Sequence, residues 1–249
     1  MTAQNLFVFP EGVALASDTA TYTPEGALIG FASKAYVNEA KRWGALFTGS
    51  ASGTAYLAKL LAAAPEMSLD VFAGLAPRLL REYRAKAFPQ IGTDCDLTIV
   101  FAGWSGEADA WRGAQISSDP GKQDVVPIGG VTQPLFEIGS EVRGVAQHEL
   151  EAAFARLGVV QAVSRLMQSQ RRSGVYPDSK QSGLIGGVGE LVIITAKGVR
   201  RETTNRWLDA IGDDAETVRA RARREPAADL LSEAPRRLRA ERRRKARAA

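Results

Sequence analysis

A chain of 249 residues, 45% hydrophobic and 24% charged, is long enough to close a full core without staples. Its single cysteine, Cys95, and single histidine, His148, exclude an internal disulfide, a multi-cysteine zinc site and any imidazole pair. The net charge of +4 hides an asymmetry: from Thr217 onward twelve Lys or Arg face four Asp or Glu, an excess larger than that of the whole chain, so the body is net acidic.

In chain order, Asn5–Phe9 and Val13–Ser17 read as two short strands around the turn signal Pro10-Glu11-Gly12, so the chain opens with a hairpin. Gly44–Thr48 is a third strand, stopped at Gly49. After Ser50–Gly53 a helix follows, with Tyr56, Leu57, Leu60 and Leu61 along one side. Ser68 caps a second helix carrying Phe72, Leu75, Leu79 and Leu80, expected to run to about Lys86 with Pro77 as a kink point. Cys95 stands just before the next strand and reads as a small half-buried residue. Strands are expected at Leu97–Ala102, Asp109–Ile116 and Leu135–Ile138, the last closed by Gly139-Ser140. Two helices follow, about Val145–Leu157 and Val159–Arg171, divided by Gly158, and His148 reads as an ordinary residue of the first. Glu190–Thr195 is a late strand.

Strands, two helices, strands, two helices, strand is an order that suits antiparallel sheets with helix pairs packed on their faces. The expected class is therefore α+β: two antiparallel sheets sandwiched between two helix layers, in a domain spanning 1–212. Beyond it, 213–249 is an Arg/Ala-rich basic tail cut by Pro226 and Pro235, suited to an acidic partner or to nucleic acid. No aromatic residue interleaves its arginines, which argues against stacking on single strands. No basic segment precedes the first apolar run, and no apolar stretch reaches the length of a membrane span; a cytoplasmic protein without a membrane partner is expected. The run Gly49-Ser50-Ala51-Ser52-Gly53-Thr54 lacks the lysine of a phosphate loop, and nothing calls for a cofactor or a metal.

Three residues carry candidate chemistry. Thr2 becomes the first residue if Met1 is removed, Asp18 ends the second strand sixteen residues later, and Lys34 follows after another sixteen. A hydroxyl needs a base to attack. An α-amino group titrating near roughly 8 can serve, and an N-terminal threonine carries both. A lysine cation beside them favours the neutral amine and the developing alkoxide, and an aspartate holds that lysine charged.

The segment Thr2–Lys34, with Trp43-Gly44-Ala45-Leu46-Phe47-Thr48-Gly49-Ser50-Ala51, resembles the proteasome β-subunit and bacterial HslV family of threonine peptidases. Ile138-Gly139-Ser140 is similar to that family's glycine-serine turn, and Gly186-Gly187-Val188-Gly189-Glu190-Leu191-Val192-Ile193 to its late glycine pair and strand; the likeness covers roughly Thr2–Arg200. It implies the four-layer αββα sandwich of an N-terminal-nucleophile (Ntn) hydrolase and a threonine-type endopeptidase. In it Thr2 attacks, Asp18 anchors Lys34, the Gly49 N–H holds the oxyanion and Ser140 supports the amine. Tyr22 stands where the family pairs with substrate backbone, and Phe47 would narrow the pocket for the residue before the cut. Asp178 and Ser182 are candidates for the late amine-supporting pair. The family also implies a ring-shaped homo-oligomer, a peptide or unfolded-protein substrate and an ATP-dependent unfoldase partner. The competing expectation is a catalytically silent subunit of that fold, built into a larger particle through its basic tail.

Overall fold

The computed structural model describes residues 3–23, 25–122, 124–128, 147–173 and 184–225. Strand β1 (Gln4–Phe9) and β2 (Gly12–Asp18) form the opening hairpin, with Phe9 paired to Gly12 across a two-residue turn. Every residue of β2 is buried because both of its neighbours are sheet strands and both of its faces are covered. β3 (Ala20–Tyr22) and β4 (Leu28–Phe31) make a separate two-stranded ribbon, and β5 (Ala35–Asn38) leads into β6 (Trp43–Gly49). Helices α1 (Ala51–Ala62) and α2 (Leu69–Ile91) follow, then β7 (Leu97–Ser105), β8 (Ala110–Ser117) and β9 (Val126–Ile128). The second half holds α3 (Gln147–Leu157), α4 (Val159–Ser173), β10 (Val188–Thr195), β11 (Gly198–Arg206) and α5 (Ala215–Arg224).

The strands pair as β1-β2-β10-β11 in one sheet and β5-β6-β7-β8-β9 in another, antiparallel throughout. Period-two alternation sorts their side chains into three cores. Leu6, Val13, Leu15, Leu46, Val100, Ala102, Val192 and Ile194 meet between the sheets. Phe7, Ala14, Ala16 and Leu191 turn the other way, onto Phe154, Val163, Leu166 and Met167 of α3 and α4. Trp43, Ala45, Phe47, Ile99 and Phe101 turn onto Leu57 and Leu61 of α1 and Leu69, Phe72, Ala76, Leu80 and Tyr83 of α2. Each large side chain so buried contributes about 1.5–3 kcal/mol.

The mixed α and β class with antiparallel sheets is the expected one. Helix α2 is longer than expected: it passes Pro77 and Pro89 and stops at Gly92, at φ +56°. Its buried stripe of Leu69, Phe72, Ala76, Leu80 and Tyr83 packs into the core beneath it. The start of the basic segment is packed rather than free. In α5, Ala215, Val218 and Ala222 are buried, and the first two join Leu184 and Tyr22 in a small cluster. The expected strand Leu135–Ile138 lies outside the described residues, as do the residues beyond 225. No described helix is long and apolar enough to cross a membrane.

Candidate active site

Asp18 is the last residue of β2, fully buried, and paired in register with Gly189 of β10. Among the described residues its carboxylate has three partners. Oδ1 accepts the Ala3 N–H at 3.0 Å and the Lys34 ammonium at 3.2 Å, and Oδ2 accepts the Gly186 N–H at 3.2 Å. Lys34 stands between β4 and β5, its ammonium also donating to the Ala20 carbonyl at 2.7 Å. The backbone around them is tied down. Ala32 N–H donates to the Thr19 carbonyl, Thr19 N–H to the Val188 carbonyl, and Val188 N–H to the Thr19 hydroxyl. Phe47 N–H donates to the Lys34 carbonyl, which sets Lys34 beside β6.

Burial pushes the Lys34 ammonium below the usual lysine range, and Asp18, with Glu190 behind it, offsets part of that. A buried lysine held against a buried carboxylate marks a candidate functional site.

Gly49 ends β6 about two residues, or roughly 7 Å of strand, beyond the Lys34 pairing. Its φ is +112°, and a Cβ there would lie 2.0 Å from the Asp96 carbonyl oxygen, so only glycine fits. Ser50 then donates its N–H to that carbonyl and caps α1 through Gly53 N–H at 3.3 Å. Arg84 of α2 grips the Asp96 carboxylate from behind.

Tyr22, at the end of β3, packs with Leu184, Ala215 and Val218. A Cβ on Gly186 would lie 2.7 Å from its hydroxyl and 2.6 Å from Asp209 Oδ2. That hydroxyl has no hydrogen-bond partner among the described residues, and burial, with the charges of Asp18 and Asp209, holds it protonated far above the ordinary tyrosine range. Phe47 is 2% exposed and lies in the core beneath α1 and α2. Thr2, Ser140, Asp178 and Ser182 lie outside the described residues.

The structure thus brings Asp18, Lys34 and the N–H of Ala3 together. It adds residues that the sequence reading left out: Gly186 as a backbone donor to Asp18, Glu190 as a second charge on Lys34, and Asp209 and Arg171 behind Gly186. Gly186 and Glu190 stood in the late glycine-and-strand segment, which was a signal; Asp209 and Arg171 carried none. Among the described residues no three His, Cys, Asp or Glu gather where they could hold a metal ion.

No protein-family model matches the chain, and no curated protein does. Solved structures do. Anbu (ancestral beta-subunit) from Yersinia bercovieri is 15% identical with a TM-score of 0.53, over 83% of this chain and 89% of that one. A mutant of Anbu from Hyphomicrobium sp. strain MC1 is 17% identical with a TM-score of 0.52, over 100% of this chain and 97% of that one. At these identities the likeness speaks for architecture, and over most of its length this chain has the proteasome β-subunit-like Ntn-hydrolase fold of Anbu.

Proposed function

We propose that the chain is a threonine-type endopeptidase of four-layer αββα Ntn-hydrolase architecture, with Thr2 as nucleophile once Met1 is removed. The observation that carries this reading is the shared oxygen of Asp18. The Ala3 N–H, which closes the peptide link to residue 2, and the Lys34 ammonium are both held on Oδ1. In this reading the Thr2 hydroxyl attacks a peptide carbonyl and its own α-amine takes the proton. Lys34 favours the neutral amine and the alkoxide, and the Gly49 N–H stabilises the tetrahedral oxyanion. The amine returns its proton to the leaving amino group, and water then hydrolyses the ester. Ser140 would support the amine and Tyr22 would border the substrate, whereas Phe47, expected to narrow a substrate pocket, is core packing instead.

As for assembly, the likeness to Anbu, an ancestral beta-subunit, supports a homo-oligomer, for which we propose a ring. Peptides or unfolded chains would be its substrate, an unfoldase a partner, and the cytoplasm its location. The basic tail beyond Glu225 would dock on an acidic surface or nucleic acid.

Intact mass of the purified protein is the first test, because the mechanism requires loss of Met1. A fluorogenic peptide panel then compares wild type with Thr2→Ala, for which hydrolysis should vanish. Equal rates overturn the reading, and a retained Met1 assigns the chain to the silent building blocks of this fold.

A further inference from the structure

Arg171, near the end of α4, is 1% exposed, and its guanidinium sits 5.2 Å over the Trp207 ring. Its nitrogens are fully engaged. Nε donates to Glu225 Oε1 at 3.0 Å and Oε2 at 2.9 Å, and Nη2 to Asp209 Oδ1 and Glu225 Oε1, both at 2.9 Å. Nη1 donates to Asp209 Oδ2 at 2.9 Å and to the carbonyl oxygen of Ile185. That last bond satisfies the fifth guanidinium donor and at the same time ties Arg171 to the backbone beside Asp18. The Ile185 carbonyl and the Gly186 N–H are the two ends of one peptide group, and that N–H holds Asp18 Oδ2 at 3.2 Å. The Asp209 carboxylate, fully buried itself, also accepts the Gly187 N–H at 3.1 Å, so the next peptide is fixed as well.

A peptide group is planar and stiff. Whatever orients its oxygen orients its N–H, and a cation on the oxygen makes the N–H a stronger donor. Arg171 and Asp18 therefore face each other through a single rigid plate, with Lys34 on the far oxygen of the carboxylate.

We propose that Arg171 is a positioning residue of the site, acting through the Ile185–Gly186 peptide on Asp18 and so on the grip of Asp18 on Lys34; this rests on the reading of Asp18 and Lys34 as site residues. Arg171 touches no reacting atom. Arginine suits the task because its fork serves two carboxylates and a carbonyl at once, which a lysine ammonium cannot reproduce.

The test reads Lys34 directly by NMR titration of lysine-labelled protein, the signal being assigned with K34R. Among the described residues the charges acting on Lys34 are those of Asp18 and Glu190, and neither is altered in R171K. R171K, which keeps the buried charge and loses the fork, should lower the Lys34 midpoint by about one pH unit. On a D18N background the same change should add nothing, because its route is gone. D209N keeps the shape of Asp209 and should act in the same direction; it carries the test if R171K fails to fold. An unchanged Lys34 midpoint in either folded variant overturns the proposal. So does an equal shift with and without Asp18, which would make Arg171 a packing residue. A wild type that cleaves no peptide would refute the peptidase reading and leave this titration as informative as before.

Discussion

At the scale of the residue, the pH behaviour of the site is that of Lys34. Its folded midpoint lies below the ordinary lysine value of 10.5 because burial outweighs the pull of Asp18 and Glu190. The ammonium is present below that midpoint and lost as pH rises through it. Peptide hydrolysis should therefore rise as the α-amine deprotonates near roughly 8 and fall again on an alkaline limb short of 10.5. In K34R that limb should move up or vanish, since a guanidinium does not titrate there; identical profiles would dissociate the limb from Lys34. K34M leaves Asp18 buried and deprived of its cation, and should cost about 3–5 kcal/mol in denaturant unfolding. Asp18 and Lys34 were legible in the sequence because they belong to one contiguous stretch with two equal intervals. Arg171 and Asp209 were not. A charge near the end of a basic helix reads as solvated, and these two are buried only because segments around 171, 185, 209 and 225 converge.

At the scale of the element, turn and cap residues announced the first hairpin and the starts of α1, α2 and β7, because apolar alternation and Ser50, Ser68 and Gly49 mark them. β11 escaped notice because its GVRRETTNR run is polar on both faces, as an edge strand half open to water permits. α5 escaped for a related reason: three small apolar residues at i, i+3 and i+7 dock a helix otherwise full of arginine. The junction of β6 and α1 is the element boundary most exposed to mutation. Gly49→Ala places a methyl against the Asp96 carbonyl at a positive φ, and should destabilise by about 1–3 kcal/mol from the backbone conformation alone. Hydrolysis should fall through kcat rather than KM, because an oxyanion donor acts in the transition state. Unaltered kcat in a folded G49A protein would remove Gly49 from the mechanism.

At the scale of the whole molecule, the layered body was legible because its three cores each follow a simple alternation, whereas the edge between body and tail was obscured by charge. Composition sets the tail at 213, yet Glu225 is held by Arg171, Gln168 and, at its carbonyl, Arg172. A chain ending after Glu225 should unfold within a few degrees of the full-length protein. One ending after Gly212 loses Glu225 and α5, strands part of the Arg171 charge, and should lose about 3–5 kcal/mol, read by thermal or denaturant unfolding. Equal stabilities would place the edge back at 213. The Asp18 carboxylate also carries a timetable. Two of its three partners, Ala3 and Lys34, lie within sixteen positions along the chain, while Gly186 is 168 positions away. The local pair can meet while synthesis is still under way; the distant donor exists only after most of the polypeptide has left the ribosome. A nascent chain that has not yet reached residue 186 therefore carries an incomplete carboxylate cradle, and the last clasp closes only once that distant donor has been made.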